Sequence, residues 1–191
     1  MPGSPEPIAP AITSTGVSAG ATVRILGIDP GSRVTGYGVI DFTPRRVRHV
    51  ASGCIYARRD DLGERLCSIH REVGALVETY APAEMAIEQV FMARNPASAL
   101  KLGQARAAAL LAGVLRGLTL HEYMPNKIKQ AVVGHGHAGK EQVQHMVKAL
   151  LGLAEAPPSD AADALAVALC HGNLRATLAR LERAAARREA W

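Results

Sequence analysis

The sequence is poor in aromatic residues, in cysteine and in long apolar runs. Aromatic residues make up 4% of the 191 positions, so a core must be built from aliphatic and alanine side chains. Cys54, Cys67 and Cys170 lie far apart without CxxC spacing, which indicates reduced thiols rather than disulfides or a zinc site. The sequence contains no run of about 18 apolar residues, so no membrane span is predicted. The first residues do not resemble a secretory signal. These absences favour a cytoplasmic protein.

The chain does have apolar residues and a modest basic excess. Hydrophobic residues make up 48% of it, which is enough for a core of ordinary size. Lysine and arginine number 22 against 17 aspartate and glutamate residues, giving a formal net charge of +5 with neutral histidine. This balance fits a polyanionic partner, and it equally fits many proteins that bind none. Charge alone therefore leaves the function open.

Composition along the chain predicts three segments. Residues 1–22 are rich in Pro, Gly, Ser, Ala and Thr, which predicts a disordered N-terminal extension. Residues 23–172 carry the periodic apolar patterns of one folded domain. Residues 173–191 hold five arginines and many alanines, which predicts a basic C-terminal tail, either a frayed helix or a solubilising end.

Short β-branched runs predict five strands. The first three, at residues 23–28, 34–40 and 47–57, follow one another through short turns, as in an antiparallel meander, with Gly53 as a possible bulge. A helix that begins at Asp60 or Asp61 separates them from a fourth strand at residues 85–90, so that strand can run parallel to the first. A fifth strand is predicted at residues 118–123.

Helices account for most of the remaining pattern. A long helix is predicted from Pro96 to about residue 116, and short helices from Pro125 and Lys140 should end at Gly134 and Gly152. Ser159 caps a last core helix that ends near residue 171. This alternation of helices and strands after the meander predicts an α/β fold: a mixed five-stranded sheet with helices on both faces.

Four carboxylates occupy positions that suggest a functional role. Asp29 ends the first strand, just before a Pro-Gly turn. Glu88 lies in a strand that should be buried on both faces, where an ionised carboxylate is costly unless it is paired or binds a metal. Asp160 and Asp163 are three residues apart in the first turn of a helix, so they share a face.

Each carboxylate also has a structural explanation. Asp29 could be a turn residue, and Asp160 and Asp163 could be favourable charges at a helix N-terminus; taken alone, these explanations are favoured. Glu88 could pair with a buried arginine, although few basic residues lie in apolar runs. Together, four oxygen donors without His or Cys ligands favour Mg²⁺ or Mn²⁺. Two such ions about 4 Å apart suit in-line phosphodiester displacement, one activating water and the other stabilising the leaving 3′ oxygen.

Five segments resemble the bacterial RuvC family of Holliday-junction resolvases. They occur in order and with matching spacing: RILGIDPG (24–31), AIEQVF (86–91), ALKLGQAR (99–106), KQAVVG (129–134) and SDAADALA (159–166). The resemblance implies an RNase H-like fold and a homodimer with two active sites. It also implies paired nicks in strands of like polarity at a four-way DNA junction, in recombination and repair, with the RuvA and RuvB branch-migration complex as partner.

By the same resemblance, the four carboxylates are the catalytic metal ligands. Lys129 and Lys140 match family lysines that contact the scissile backbone, and Lys140 joins the catalytic set. Phe91 matches an aromatic residue that meets bases near the junction point, and Arg94 is placed with it among the DNA-binding residues. Without the resemblance, the lysines are most simply solvated surface residues and Phe91 a core residue.

Some features lie outside the family pattern, and two other functions stay open. The N-terminal extension, the loop histidines His135 and His137, and the arginine-rich tail have no assigned role, although the tail could add salt-sensitive DNA affinity. GIDPGS (27–32) also resembles the phosphate-binding hairpin of the actin and sugar-kinase ATPases, which need two such domains. The other alternative is an inactive junction-binding module, against which the retained acids argue.

Overall fold

The computed structural model describes residues 21–58, 60–90 and 95–189, which form five strands and five helices. The strands are β1 (Val23–Asp29), β2 (Val34–Thr43), β3 (Arg46–Tyr56), β4 (Glu84–Glu88) and β5 (Thr119–Tyr123). The helices are α1 (Leu62–Tyr80), α2 (Pro96–Val114), α3 (Pro125–Val133), α4 (Lys140–Leu151) and α5 (Ser159–Glu189). Among the helices described, none is long and apolar enough to cross a membrane.

The strands form one mixed sheet in the order β3-β2-β1-β4-β5. β1, β2 and β3 pair antiparallel through short turns, whereas β4 pairs parallel to β1 and β5 pairs parallel to β4. Helices α1 and α2 provide the crossovers that parallel pairing requires. The predicted α/β architecture is therefore confirmed, including the antiparallel meander and the parallel strands that follow it.

Alternation along the strands divides the core into two layers. Leu26 and Ile28 of β1 pack with α1 and α2, whereas Ile25 packs on the other face with α3, α4 and α5. Because side chains alternate along a strand, Asp29 and Glu88 lie on the same face of the sheet as this second layer. Each also lies at the carboxyl end of its strand, and β1 and β4 are parallel neighbours. The pleat therefore directs both carboxylates toward the α5 side at one end of the sheet.

Glycines allow α5 to lie directly on the sheet. An added Cβ at Gly27 would lie 2.2 Å from the carbonyl oxygen of Ala164, and one at Gly36 would lie 1.9 Å from that of Asp160. Both distances are far shorter than any real contact, so side chains are excluded there. Close helix packing thus explains these glycines. It brings the first turn of α5 against the start of β2, which lies beside the end of β1.

Most predicted boundaries are confirmed, with one error in the sheet. Asp61 caps α1 by accepting from the backbone N–H of Glu64 at 2.8 Å, and Asn95 caps α2. The prediction of a bulge at Gly53 is wrong. The register between β2 and β3 shifts at Val50, and Gly53 instead makes room for the ring of Tyr37.

The last helix is longer than predicted. It was expected to end near residue 171, but α5 continues without a break through Glu189. Gly172 does not end the helix, because its missing side chain accommodates Phe42: an added Cβ would lie 2.4 Å from that ring. The predicted segment boundaries at 22/23 and 172/173 stay predictions. Residues 1–20, Phe91 and Arg94 lie outside the described residues.

Candidate active site

Three of the four predicted carboxylates line one cleft at the carboxyl end of β1 and β4. The cleft has a volume of about 260 Å³. Asp29 and Glu88 enter it from adjacent strand ends, and Asp163 enters it from the first turns of α5. The remaining lining residues are Pro125, Ile128 and Lys129 of α3, and Lys140 and Val143 of α4. Residues far apart in sequence therefore converge as the motifs predicted.

Asp160 lies one helical turn before Asp163, outside the lining of this cleft. Its backbone carbonyl packs against Gly36. Its negative charge still acts on the cleft, since it contributes to raising the pKa of both Asp29 and Asp163. Asp160 is thus an electrostatic neighbour of the other three carboxylates in this structure.

The carboxylates of the cleft repel one another in a poorly solvated environment. Burial, followed by the charges of Glu88, Asp163 and Asp160, raises the pKa of Asp29 to about 8. Burial and the charge of Asp163 also raise the pKa of Glu88. For Asp163, burial raises the pKa while the nearby lysines oppose that effect. This excess of negative charge is the electrostatic environment that a bound divalent cation would relieve.

The alternative explanation for Glu88, pairing with a buried arginine, is not observed among the described residues. Arg106 of α2 instead donates from Nε to the backbone carbonyl of Glu88 at 3.2 Å and pairs with Glu122 at 2.7 Å. It therefore positions the end of β4 and leaves the Glu88 carboxylate free to face the cleft. Sequence reasoning did not identify this role, because a contact with a backbone carbonyl leaves no pattern in the sequence.

The two predicted lysines face the carboxylates from α3 and α4. Lys140 is the first residue of α4, and its Nζ lies 3.8 Å from Oδ2 of Asp163. The charges of Lys129 and Lys140 both lower the pKa of Glu88, against the effect of burial. A tight connection places them: Gly134 ends α3 with φ of 92°, a conformation that favours glycine. His135 and His137 of that connection are exposed and do not line the cleft.

The turn after β1 is fixed by a buried threonine. Thr35 is fully buried, and its hydroxyl donates to the carbonyl of Gly31 at 3.1 Å. The same hydroxyl oxygen accepts from the N–H of Gly31 at 3.4 Å. These bonds hold the Pro30–Gly31 turn against β2 and so fix the direction in which the strand delivers Asp29. Thr35 is a second positioning residue that the sequence motifs did not identify.

One further group of acidic and histidine side chains lies at the opposite end of β4. The possible ligand atoms of Glu84, His121 and His171 all lie within 4.8 Å of one another, which makes them, in the described part of the chain, a possible metal-binding group. Arg175 also contacts Glu84, at 3.0 Å, and His171 contacts it at 2.5 Å. The carboxylate is therefore already satisfied by the protein's own cation and hydrogen-bond donor.

A carboxylate-lined, lysine-flanked cleft at the strand ends of this sheet defines an RNase H-like nuclease. Comparison with known proteins agrees. Residues 25–171 match the family model described as crossover junction endodeoxyribonuclease RuvC. The chain is 55% identical over 159 residues to the protein of that name from Marinobacter nauticus, covering 83% of this chain and 91% of the relative. It is 56% identical to the protein of that name from Methylococcus capsulatus, covering 84% of this chain and 96% of the relative.

Solved structures give the same result. T. thermophilus RuvC in complex with Holliday junction substrate superposes with a TM-score of 0.76 at 37% identity, covering 81% of this chain and 96% of that one. The yeast mitochondrial Holliday junction resolvase Ydc2, at 15% identity and a TM-score of 0.63, shares the fold. The chain belongs to the RuvC family of crossover junction endodeoxyribonucleases. The predicted enzyme class, a DNA-cleaving hydrolase that acts on Holliday junctions, is confirmed at the level of that family.

Proposed function

We propose that the carboxylate cleft hydrolyses one phosphodiester in each of two like strands of a four-way DNA junction. The observation that carries this proposal is the meeting of Asp29, Glu88 and Asp163 with Lys129 and Lys140 in one cleft. Acidic residues alone would repel DNA, and lysines alone would only bind it. A site with both can hold a cation and a phosphate side by side, which is what phosphodiester hydrolysis requires.

The donor set of the cleft fits Mg²⁺, with Mn²⁺ as a substitute. All candidate ligands are carboxylate oxygens, which hard divalent cations prefer. Burial, and then the neighbouring negative charges, raises the pKa of Asp29 and of Glu88. Asp29, Glu88 and Asp163 would hold the metal, with Asp160 completing the set, and we propose two ions per site. Bound metal would lower the pKa of a water nucleophile and stabilise charge on the reacting phosphate.

The lysines bind and orient the phosphate in this proposal. Lys140 is largely exposed, yet its ammonium is anchored near Asp163, so it can contact both the carboxylate and a DNA oxygen. Lys129 faces the same cleft from α3. As point charges, both offset the negative charge of the phosphate group as it reacts. Phe91 and Arg94 stay proposed DNA contacts on the basis of the family resemblance.

We propose that a second copy of this chain packs on α2. Apolar or small residues follow one face of α2 at spacings of three or four, and Leu100, Leu111 and Val114 are 66%, 53% and 48% exposed. Gly103 and Ala107 lie between them on the same face. The stripe has no charged member, so it suits neither DNA nor an acidic partner. Packed against itself about a two-fold axis, it would give one active site per strand.

A cleavage assay tests the proposed function. Labelled four-way junction, duplex and single strand are incubated with the protein, with Mg²⁺ or with a chelator. We expect paired nicks in the junction alone, dependent on the metal, and no cleavage by Asp29→Asn despite retained junction binding. Undiminished cleavage by that variant would exclude the carboxylate site. Binding without cleavage by the unmodified chain would instead support an inactive junction-binding module.

Sedimentation tests the dimer. Leu111→Glu places a charge in the centre of the α2 stripe and should yield monomers that no longer make paired nicks. Leu178→Glu is the matched control, because Leu178 is 59% exposed on α5 and outside the stripe. Monomers from both variants, or from neither, would argue against α2 as the interface. RuvA and RuvB as partners and a cytoplasmic location remain proposals that rest on the family resemblance.

A further inference from the structure

A second cleft, of about 470 Å³, lies beyond the carboxylate cleft at the β2–β3 side of the same sheet end. It is lined by Arg33 and Val34 at the start of β2, Ala57 and Arg58 after β3, Asp60 and Arg65 at the start of α1, and Lys101 of α2. We call it the basic cleft. Four separate parts of the fold contribute one cation each, so the charge of the cleft is not a by-product of one polar helix face.

The charge of the basic cleft is largely uncompensated by the protein. Four of its seven lining residues are cations, and Asp60 is its only acid. Within the described residues, Arg33, Arg58, Arg65 and Lys101 form no ion pair shorter than 4.0 Å, whereas Arg24, Arg48, Arg106, Arg116 and Arg175 are all paired. The four cations of the basic cleft are therefore available to an external anion.

Two arginines of the basic cleft are held in place without a neutralising partner. The guanidinium carbon of Arg58 lies 4.7 Å from the centre of the Tyr56 ring, a cation–π contact that orients the side chain and preserves its charge. The Nε of Arg65 is buried and has no hydrogen-bond partner among the described residues. A buried donor left unsatisfied is destabilising, and the guanidinium to which it belongs forms no ion pair in the described part of the chain that would offset this cost.

The basic cleft is close to the catalytic carboxylates. Arg33 is only four positions after Asp29, so their Cα atoms are at most about 14 Å apart. The N–H of Ala57 donates to the carbonyl of Arg33 at 3.0 Å, which fixes the end of β3 beside this turn. A smaller cavity connects Asp29 and Glu88 with Leu102 of α2, next to Lys101. A DNA strand bound at Asp29 therefore lies within a few nucleotides of Arg33 and Lys101 in our proposal.

We propose that the basic cleft binds a backbone phosphate of the cleaved DNA strand, about four nucleotides or fewer from the scissile bond. This inference rests on the proposed function. The cleft offers guanidinium and ammonium donors but, among its lining residues, no aromatic face for base stacking and only two apolar side chains. Such a lining recognises phosphate rather than sequence, so it positions the strand and does not select the bases at the cleavage site.

The test measures junction affinity against salt concentration for Arg33→Gln, Lys101→Gln and the double variant. Each single variant should weaken junction binding roughly 3- to 10-fold whatever the sequence, and should reduce the salt slope by about 0.7 to 0.9. Cleavage at saturating protein in a single turnover should stay near that of the unmodified chain, since no group of the carboxylate cleft is changed. Arg71→Gln, an exposed arginine on α1 outside the cleft, is the matched control.

Two results would overturn the inference. The first is an unchanged salt slope in both single variants while the unmodified chain binds and cuts the junction. The second is a loss of affinity confined to Arg65→Gln together with a lower melting temperature, because that pattern assigns Arg65 a structural role. Failure of the proposed function is distinguishable from both, since the unmodified chain would then fail to cut any junction in the same experiment.

Discussion

Strand β4 carries a glutamate at each end, on the same face of the sheet, and the two have opposite surroundings. Glu84 is bonded to His171 at 2.5 Å and to Arg175 at 3.0 Å, while Glu88 faces other carboxylates. Burial favours the protonated form of Glu84, but the bond from His171 and the charge of Arg175 outweigh it and lower its pKa. The pKa of Glu88 is raised. The fold therefore pairs the acid at one end of β4 with a histidine and an arginine, and places the acid at the other end among further carboxylates.

The largest expected effect is a difference in cleavage activity between variants of the two glutamates. Glu88→Gln should reduce single-turnover junction cleavage by more than about 100-fold, because a neutral amide is a poor ligand for a hard divalent cation. Glu84→Gln is the same substitution on the same strand and should leave cleavage within a few-fold. Gel-based cleavage with saturating protein measures both. Equal losses of cleavage activity in the two variants would show that the different surroundings of Glu84 and Glu88 do not reflect different functions.

The second prediction concerns stability, for which Glu84 should matter more than Glu88. Glu84→Gln should lower the free energy of unfolding by about 1 to 3 kcal/mol at pH 7, since it removes charge-assisted bonds to His171 and Arg175. Because the folded pKa of Glu84 is lowered, this contribution is present above the ordinary value of 4.5 and is lost as pH falls through the folded pKa. Urea unfolding at several pH values, with Glu88→Gln as the comparison, would reveal it.

A smaller effect concerns the residue that positions Glu88. Arg106→Gln removes the bond to the Glu88 carbonyl and the ion pair with Glu122, so the end of β4 should lose its fixed position. We expect about a 10-fold loss of single-turnover cleavage with little change in junction affinity. Arg116→Gln is the control, because Arg116, just after α2, also forms an ion pair, with Glu78, but away from the cleft. Similar cleavage by both variants would reduce Arg106 to a general stabilising residue.

The smallest expected effect is a stabilisation without metal. The folded pKa of Asp29 is about 8 against an ordinary value of 3.8, so the folded state retains a proton that the unfolded state loses, and stability falls as pH rises between these values. Asp29→Asn removes that penalty and should raise the melting temperature by a few degrees near pH 8 in a chelator. The gain should shrink toward pH 4. Added Mg²⁺ should stabilise the unmodified chain more than the variant, and equal stabilisation would contradict ligation by Asp29.

The sequence predicted the elements of the carboxylate cleft because each has a local signature. Asp29 precedes a Pro-Gly turn, Glu88 interrupts an apolar strand, and Asp163 lies near the start of a helix, so strand ends and helix starts could be located from pattern alone. Parallel pairing of β4 with β1 then placed the two strand-end acids together. The motifs of the family supplied Lys129 and Lys140, which have no distinguishing local pattern.

What the sequence could not predict depends on contacts between distant residues. His171 and Glu84 are 87 positions apart, and their bond depends on the length and direction of α5. The last helix was predicted to end near residue 171, whereas it continues past Gly172, whose small size serves close packing on Phe42. The bulge at Val50 depends on pairing with β2, not on the residue that bulges. Each of these features is set by tertiary packing rather than by local propensity.

The close packing of α5 on Gly27 and Gly36 has a consequence for exchange with solvent. Because Asp163 lies on the helix that also forms the centre of the core, its amide and those of β1 should exchange hydrogen only when the whole domain unfolds. The connection that carries His135 and His137 is exposed, and its amides should exchange far sooner. We therefore expect the carboxylate geometry to be as durable as the fold itself, and the connection beside the two lysines to open at a much lower free-energy cost.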